Sequence, residues 1–253
     1  MPKNKISVII ITANEEENIR ECLESVKWAD EVIIVDSESS DRTTDIAGEF
    51  TDKIFIREWA GFASQKSFAL EKTSNEWVLS IDADERVTPE LSNEILSMDL
   101  SKSDGYFIKR DNYFLGKLIV GCGWGNDYQL RLMRKSKSGL TDNLVHEGFV
   151  VSGKREKLNS SIIHYTYNSI HQALDKINYY TSLEAKEKYT KKNVNILKII
   201  FQPPVAFYHD FIARKGYKDG VRGFLISFNN ALTKLQVLTK IWELKKNERT
   251  GAN

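Results

Sequence analysis

The first 81 residues alternate short apolar runs with amphipathic segments, and this alternation limits the folds open to the chain. The run at residues 5–12 is nearly continuous, which is typical of a strand buried on both faces of a sheet. Similar runs follow at residues 31–36, 52–58 and 77–81, with predicted helices between them. Strands that alternate with helices form parallel sheets with right-handed crossovers. The sequence therefore predicts an α/β fold.

Polar and acidic residues follow these strands where each one ends. Asn14 and Glu15 come after the first strand, Asp36 ends the second, and Asp82 and Asp84 come after the fourth. Because ligands of open α/β sheets bind beyond the carboxyl ends of the strands, we expect these side chains to gather at one edge. Two neighbouring carboxylates suit Mg²⁺ or Mn²⁺ carrying a phosphate-bearing substrate, although an acidic loop that caps a helix has the same pattern. Glycine-rich phosphate loops are absent from the sequence.

Several of these polar residues also suit helix caps. We expect Asn14 to cap a helix at about 15–28, and Asp41 to cap a short helix that follows the second strand. Pro89 is predicted to open a further helix, and Glu85 is assigned to its cap rather than to a metal.

Beyond residue 100 the alternation stops, which predicts a mixed, partly antiparallel half that completes a cleft. We expect strands at 105–112 and 128–134, the second carrying Arg131. Residues 113–125 are rich in glycine and aromatic residues, so a shaped loop is favoured there. His164 lies in a short apolar run, and burial is the favoured interpretation for it.

The C-terminal third is basic and apolar. Residues 186–253 carry 14 Lys and Arg against 5 Asp and Glu, a net charge of +9, while the rest of the chain has a net charge of −8. Helices are predicted at 171–191 and 224–246, and an apolar stretch at 195–211 is expected to break at Pro203-Pro204. This composition suits an anionic membrane surface about as well as a packed helical subdomain with a solvated face. Nucleic acid is disfavoured because no nucleic-acid motif accompanies the charge.

The two cysteines and the N-terminus indicate a cytoplasmic protein. Cys22 and Cys122 are too few for a disulfide framework, so reduced thiols are expected. The start of the chain lacks the apolar segment of a signal peptide, and no apolar run reaches the roughly 20 residues of a membrane-spanning helix.

The motifs IIITANE at 9–15, VDSESSDRT at 35–43 and LSIDAD at 79–84 resemble family 2 glycosyltransferases. YFLG at 113–116, DYQLRL at 127–132 and VHE at 145–147 resemble a narrower branch that adds glucose or a similar sugar to the inner core of lipopolysaccharide. The resemblance implies a GT-A, Rossmann-like fold with a mixed central sheet and a C-terminal helical extension. We expect a catalytic domain at 1–170, with a nucleotide-sugar-binding half at 1–100 and an acceptor half at 101–170, followed by a helical, basic extension at 171–253 whose composition suits membrane association.

The resemblance also implies roles for individual residues. Asp36 would accept a hydrogen bond from uracil N3–H, and Asp84 would coordinate Mg²⁺ or Mn²⁺ bridging the diphosphate, with His146 as a further metal contact. Asp127 would be the catalytic base, with Glu147 as its rival. The remaining residues would bind the donor (Thr12, Asn14, Glu15, Lys66, Asp82) or the acceptor (Trp124, Arg131). Ser67 stands where the family usually has Asn, and Asn126 where it usually has Glu.

Together these features predict an inverting, metal-dependent glycosyltransferase at the inner face of the cell membrane. Its donor would be a UDP-sugar and its acceptor a lipopolysaccharide core or another lipid-linked saccharide. A sugar-1-phosphate nucleotidyltransferase is an alternative on the same fold, but the acidic residues Glu15, Glu16 and Glu17 stand where that class has a basic, glycine-rich loop. A non-catalytic sugar-nucleotide or glycan-binding module is the second alternative.

Overall fold

The computed structural model describes residues 4–141 and 148–250. Its strands are β1 (Ile6–Thr12), β2 (Glu31–Asp36), β3 (Ile54–Ile56), β4 (Trp77–Asp82), β5 (Glu85–Val87), β6 (Gly105–Phe114), β7 (Lys117–Leu118), β8 (Tyr128–Arg134), β9 (Ser138–Leu140), β10 (Phe149–Val151) and β11 (Arg155–Tyr167). Its α-helices are α1 (Ile19–Glu24), α2 (Thr43–Ala47), α3 (Phe62–Lys72), α4 (Pro89–Ser97), α5 (Ile170–Lys188), α6 (Ile196–Tyr208) and α7 (Val221–Thr250).

The main sheet is mixed, as predicted. Its order within the described residues is β3-β2-β1-β4-β8-β6-β11-β5, with β7 added to β6. The first four strands pair in parallel, whereas β8 pairs antiparallel to both β4 and β6. Strands β9 and β10 form a separate two-stranded sheet. The antiparallel strands place side chains from the second half of the chain beside β4, where the predicted metal residues follow.

The parallel strands are covered on both faces, which explains their nearly continuous apolar sequences. Successive residues of β1 enter different cores: Val8 and Ile10 pack in one, and Ile9 packs in the other. The first core contains residues of α1, α2 and α4, and the second contains residues of α3. The helices therefore lie in two layers around the sheet.

Two local predictions around these strands are wrong. Asn14 does not cap α1, whose N-cap is Asn18, because Asn14 has a positive φ of 54° and lies in the preceding turn. Glu85 does not cap α4, because it belongs to β5 and pairs with His164 of β11. The cap is Thr88, whose hydroxyl accepts the Leu91 N–H at 3.2 Å.

The structure divides into two compact units. The first contains Met1–Asp111 and Asp127–Tyr165, and the second contains Asn112–Asn126 and Thr166–Asn253. Residues 112–126, which the sequence placed in the catalytic domain, therefore cluster with the C-terminal helices. Phe114 of this segment is buried beside Ile226 of α7.

The second unit contains α5, α6 and α7, and helix α6 corrects a prediction. It runs through Pro203 and Pro204 without a break. The two prolines remove two backbone donors, but their fixed φ is compatible with a helix. Among the described helices, none is both long and apolar enough to cross a bilayer.

Candidate active site

The carboxyl ends of β1 and β2 are joined by a network of loop hydrogen bonds. The Thr12 hydroxyl donates to Asp36 at 2.8 Å, and Asp36 also accepts from the backbone N–H and the hydroxyl of Ser39. The Ser39 hydroxyl in turn accepts the Asn14 N–H at 2.8 Å. The first two predicted donor-binding loops therefore form one framework, as their positions in a parallel sheet require.

Asp36 is fully buried in this framework. Its predicted contact with uracil stays a prediction. Asp41, for which capping was favoured, accepts the Thr43 N–H at 2.9 Å next to α2. The backbone N–H groups of Glu15 and Glu16 are also occupied, because they donate to Thr43 and Asp41 respectively.

Lys66 and Asp82, both predicted to bind the donor, form an ion pair. The Lys66 ammonium on α3 lies 3.1 Å from Asp82 at the end of β4, and the lysine side chain is 12% exposed. Arg131 of β8 donates to the other oxygen of Asp82 at 2.7 Å. Burial alone would raise the pKa of Asp82, but Arg131 and Lys66 hold it well below its usual range. The structure therefore presents an ionised carboxylate at this strand end.

Arg131 is buried against two carboxylates. Beside Asp82 it also donates to Glu85, whose side chain is fully buried. Burial opposes the charge of Arg131, but these two carboxylates raise its pKa above the usual range. Its predicted contact with the acceptor stays a prediction, and its described contacts hold Asp82 and Glu85 in place.

Asp127, the predicted base, is held by Arg110 of β6. The guanidinium reaches one carboxylate oxygen through Nε at 2.9 Å and Nη2 at 2.6 Å. The other oxygen accepts from Gln129 at 2.8 Å. Arg110 also lies 3.6 Å from Glu85. An ion pair of this kind fixes the orientation of the carboxylate, which a general base needs.

These pairs form a continuous chain of alternating charge in the first unit. Glu85 lies between two arginines, and the chain runs from Lys66 at one end to the predicted base Asp127 at the other. Its members are Lys66, Asp82, Arg131, Glu85, Arg110 and Asp127. Three cations offset three anions, so the chain can hold ionised groups in a half-buried site without a large unpaired charge. The donor-side carboxylate and the predicted base are thereby positioned by one set of contacts.

Asp84 lies beside His164 of β11. The imidazole Nε2 is 3.6 Å from an Asp84 oxygen, and both side chains are largely buried. The predicted burial of His164 is confirmed, and its position also makes it a neighbour of the predicted metal ligand. Mg²⁺ is commonly held by one or two carboxylates together with substrate phosphates and waters. Asp84 fits that donor set, although within 4–141 and 148–250 no three acidic, His or Cys side chains converge as a protein-only metal cage.

The described contacts of this network do not include the three remaining predicted residues. His146 and Glu147 lie outside the described residues. Trp124 belongs to the second unit, where its ring packs edge-to-face on Phe114 at 6.2 Å. Phe114 is buried, so its ring belongs to a hydrophobic core of the second unit.

Glu85 and Arg110 are neighbours of the predicted site residues, and the sequence did not predict this role for them. Glu85 is the third carboxylate of the motif that ends β4. It lies in the short strand β5, which pairs antiparallel with β11, and its side chain is buried. Arg110 stands in the middle of a long strand, where a charged residue is costly unless it is paired. A charged residue in mid-strand therefore signals that Arg110 has a partner. The identity of that partner, Asp127, depends on the pairing of β6 with β8.

Comparison with known proteins assigns the chain to a family. Residues 7–143 match the family described as Glycosyl transferase family 2. The lipopolysaccharide core biosynthesis glycosyltransferase LpsC of Rhizobium meliloti (strain 1021) is 31% identical over 254 residues, covering 96% of this chain and 94% of LpsC. An uncharacterized glycosyltransferase of Rickettsia conorii is 32% identical, with 94% of this chain and 90% of that protein covered.

Among solved structures, S. aureus TarS 1–349 in complex with UDP-GlcNAc is similar in fold. The TM-score is 0.50 at 14% sequence identity, and the match covers 98% of this chain and 92% of that one. The predicted GT-A fold, with its mixed sheet and C-terminal helices, is confirmed. The family match spans more than half of the chain and the relatives align over nearly all of it, so this protein belongs to glycosyl transferase family 2.

Proposed function

We propose that this protein transfers a sugar, glucose or a similar hexose, from a UDP-sugar to a saccharide hydroxyl with inversion at the anomeric carbon. The observation that carries the proposal is the ion-paired set of carboxylates at the carboxyl ends of the strands, where α/β sheets bind ligands. Lys66 and Asp82 form its donor side, Asp84 follows them in sequence, and Asp127 terminates the charge chain.

The proposed acceptor is a lipopolysaccharide core or another lipid-linked saccharide. This choice is supported by the 31% identity to LpsC, whose name assigns it to lipopolysaccharide core biosynthesis and whose length is matched almost completely. The inner face of the cell membrane, predicted from the sequence as the place of action, is part of the same proposal.

The proposed reaction is a single displacement. The acceptor oxygen forms a bond to the anomeric carbon as the bond from that carbon to the diphosphate oxygen breaks. Asp127 accepts the proton of the acceptor hydroxyl, and its carboxylate is oriented for this by Arg110 and Gln129. The electron pair of the breaking bond leaves with UDP, and the Lys66 ammonium is the described cation that we assign to the donor side.

A divalent ion would supply further countercharge to the diphosphate. Asp84 is the residue that would hold it, with His164 beside that carboxylate and His146 assigned by the resemblance. The protein's own contribution is to fix Asp84 in place, which it does in part through the Tyr165 N–H that donates to the Asp84 carbonyl at 3.0 Å.

Nucleotidyl transfer fits the structure less well. That chemistry uses backbone N–H groups of the first loop to bind phosphates. Here the N–H groups of Asn14, Glu15 and Glu16 donate to side chains of the neighbouring loop, and the side chains of that first loop are acidic. The backbone N–H groups of the first loop therefore hold the neighbouring loop in place, and they are already occupied where a phosphate would have to bind.

The proposal is tested by measuring nucleotide release from UDP-, GDP- and ADP-sugars with Mn²⁺ or Mg²⁺. We expect UDP release from one UDP-sugar in the wild type. Asp127→Asn should reduce transfer by about 10²-fold or more while donor binding by calorimetry is retained. The exposed Asp52→Asn serves as the matched control and should leave both unchanged.

Normal turnover by the Asp127→Asn variant would remove Asp127 as the base and direct the test to Glu147. Binding of a UDP-sugar by the wild type without release of nucleotide in the presence of any acceptor saccharide would favour the non-catalytic binding module.

A further inference from the structure

The exposed half of helix α6 is apolar, which is the reverse of a helix that faces water. Val205 is 65% exposed and Phe201 is 61% exposed, and Lys198 is the helix's sole charged residue. At 3.6 residues per turn, the exposed positions fall within about half of the helix circumference. They are Ile196, Leu197, Ile200, Phe201, Pro204, Val205 and Tyr208. We call this set the α6 face.

The apolar surface continues onto the start of α7. Phe224 and Phe228 are 45% and 51% exposed, and their rings stack at 6.4 Å. Phe207 joins the two helices, because its ring lies 5.4 Å from that of Phe224. Contiguous exposed apolar surface of this kind marks a site for a partner or a membrane, since monomeric proteins rarely leave it in water.

The corner between the two helices is rigid. A Cβ atom on Gly223 would lie 1.8 Å from the carbonyl oxygen of Gly216, so the chain can make this close approach only with glycine. Asp210 is buried near the corner and accepts from Asn230 of α7 at 2.7 Å. The apolar surface is therefore presented by a fixed pair of helices.

The chain segment that contains α6 carries a net positive charge. Residues 190–222 contain seven Lys and Arg and two Asp, and both aspartates are buried. Asp219 accepts the Val120 and Gly121 N–H groups, so it serves internal hydrogen bonds as Asp210 does. The basic residues are Lys191, Lys192, Lys198, Arg214, Lys215, Lys218 and Arg222. The exposed ionic groups of this segment are thus cations, among them Lys215 and Lys218.

Lysines of α5, of α7 and of the segment before α6 repel one another. Burial lowers the pKa of Lys192, and the nearby charges of Lys234 and Lys188 lower it further. An anionic partner would relieve this repulsion, whereas a second copy of the chain docked through the same surface would bring like charges together.

We propose that the α6 face inserts into the headgroup boundary of an anionic lipid bilayer, with α6 parallel to the membrane surface and the surrounding basic residues on lipid phosphates. A helix of 13 residues is about 20 Å long, too short for a hydrocarbon core of about 30 Å, so it lies in the interface. This inference does not depend on the reaction proposed above, because it rests on residues of the second unit alone.

The test is co-sedimentation of the full chain with vesicles. We expect the wild type to bind phosphatidylglycerol/phosphatidylcholine vesicles, to bind pure phosphatidylcholine at least tenfold more weakly, and to lose affinity with added salt. The triple variant Ile200→Ser, Phe201→Ser, Val205→Ser should lower the partition coefficient at least tenfold. Ile56→Ser with Val150→Ser, two exposed apolar residues of the first unit, is the matched control and should not.

A second set of variants separates the contribution of the basic residues from that of the apolar residues. Lys215→Glu with Lys218→Glu should weaken binding to the anionic vesicles at least tenfold, whereas Lys102→Glu with Lys137→Glu should have little effect. Circular dichroism checks that each variant is folded. Phe201→Trp gives a second readout that needs no disruptive change, because brominated acyl chains should quench its added fluorescence.

Several outcomes would overturn the proposal. They are a wild type that does not sediment with anionic vesicles, equal binding to neutral vesicles, a folded triple variant that binds like the wild type, or an unquenched Phe201→Trp signal. Sedimentation velocity without lipid tests the rival occupant: a wild-type dimer that the triple substitution makes monomeric, together with absent vesicle binding, would assign the α6 face to a second copy of the chain.

Discussion

Replacing Glu85 by Gln tests whether the charge chain holds the site together. Glu85 is fully buried, accepts the Asp82 N–H at 2.9 Å and pairs with Arg131. Gln keeps the shape of the side chain but loses its charge. Its amide nitrogen, which is itself a donor, must face either the Asp82 N–H or the Arg131 guanidinium. Removing one partner of a buried ion pair costs about 3–5 kcal/mol. Since Arg131 retains Asp82, we expect the lower end, about 3 kcal/mol.

For a chain of this size, 1 kcal/mol corresponds to a shift in Tm of roughly 2–4 °C. The expected decrease for Glu85→Gln is therefore about 6–12 °C, measured by differential scanning calorimetry. Glu49→Gln is the matched control, because Glu49 pairs with Arg20 through two short contacts but both side chains are about half exposed. Water screens that pair, so its loss should leave Tm nearly unchanged. Equal shifts for the two variants would refute the reasoning.

Three further predictions concern single residues. Arg110→Gln removes the guanidinium that orients Asp127, so kcat should fall about tenfold or more while donor binding by calorimetry is retained; equal loss of both would contradict this role. His164→Gln should raise the Mn²⁺ concentration needed for half-maximal UDP release by about 10–100-fold, and no change would remove His164 from the metal site. Burial alone would raise the pKa of Glu31, but Lys53 and neighbouring hydroxyls lower this pKa from 4.5 to about 2. The ionised Glu31 carboxylate therefore stabilises the fold above pH 4.5, and this stabilisation is lost as the pH falls toward 2. Denaturation of Glu31→Gln should accordingly show a shallower loss of stability across that range, by up to about 3 kcal/mol; an identical pH profile would contradict it.

The parallel half of the fold could be predicted from the sequence because its strands are buried on both faces. Runs such as ISVIIIT and EVIIVD leave few alternatives to a covered parallel sheet. Once those strands are placed side by side, the residues after them must share an edge. The contact between Thr12 and Asp36 follows directly from that arrangement.

The charge chain could not be predicted in the same way, because it depends on strand register. Arg131 reaches Asp82 since β8 pairs antiparallel to β4, with Leu132 opposite Leu79. No periodic pattern in the sequence specifies which residue of one strand faces which residue of another. Strand β5, with three residues, is too short to show a period at all.

Helix α6 shows a different limit of local rules. Pro203-Pro204 predicted a break, since proline lacks a backbone donor and crowds the preceding turn. The helix continues nevertheless, and its contact with α7 through Phe207 and Phe224 supplies tertiary packing that propensity does not include. The sequence did identify the segment as apolar and basic, but only the structure shows that the apolar residues are the exposed ones.

The central claim is that a UDP-sugar with its metal ion binds at the strand edge formed by Lys66, Asp82 and Asp84. The most direct measurement is calorimetric titration of UDP with Mn²⁺ into the wild type, Asp84→Asn and the control Asp52→Asn. The account predicts Mn²⁺-dependent binding by the wild type and the control, and at least tenfold weaker binding by Asp84→Asn. UDP that binds Asp84→Asn as tightly as the wild type, with the same dependence on Mn²⁺, would contradict it.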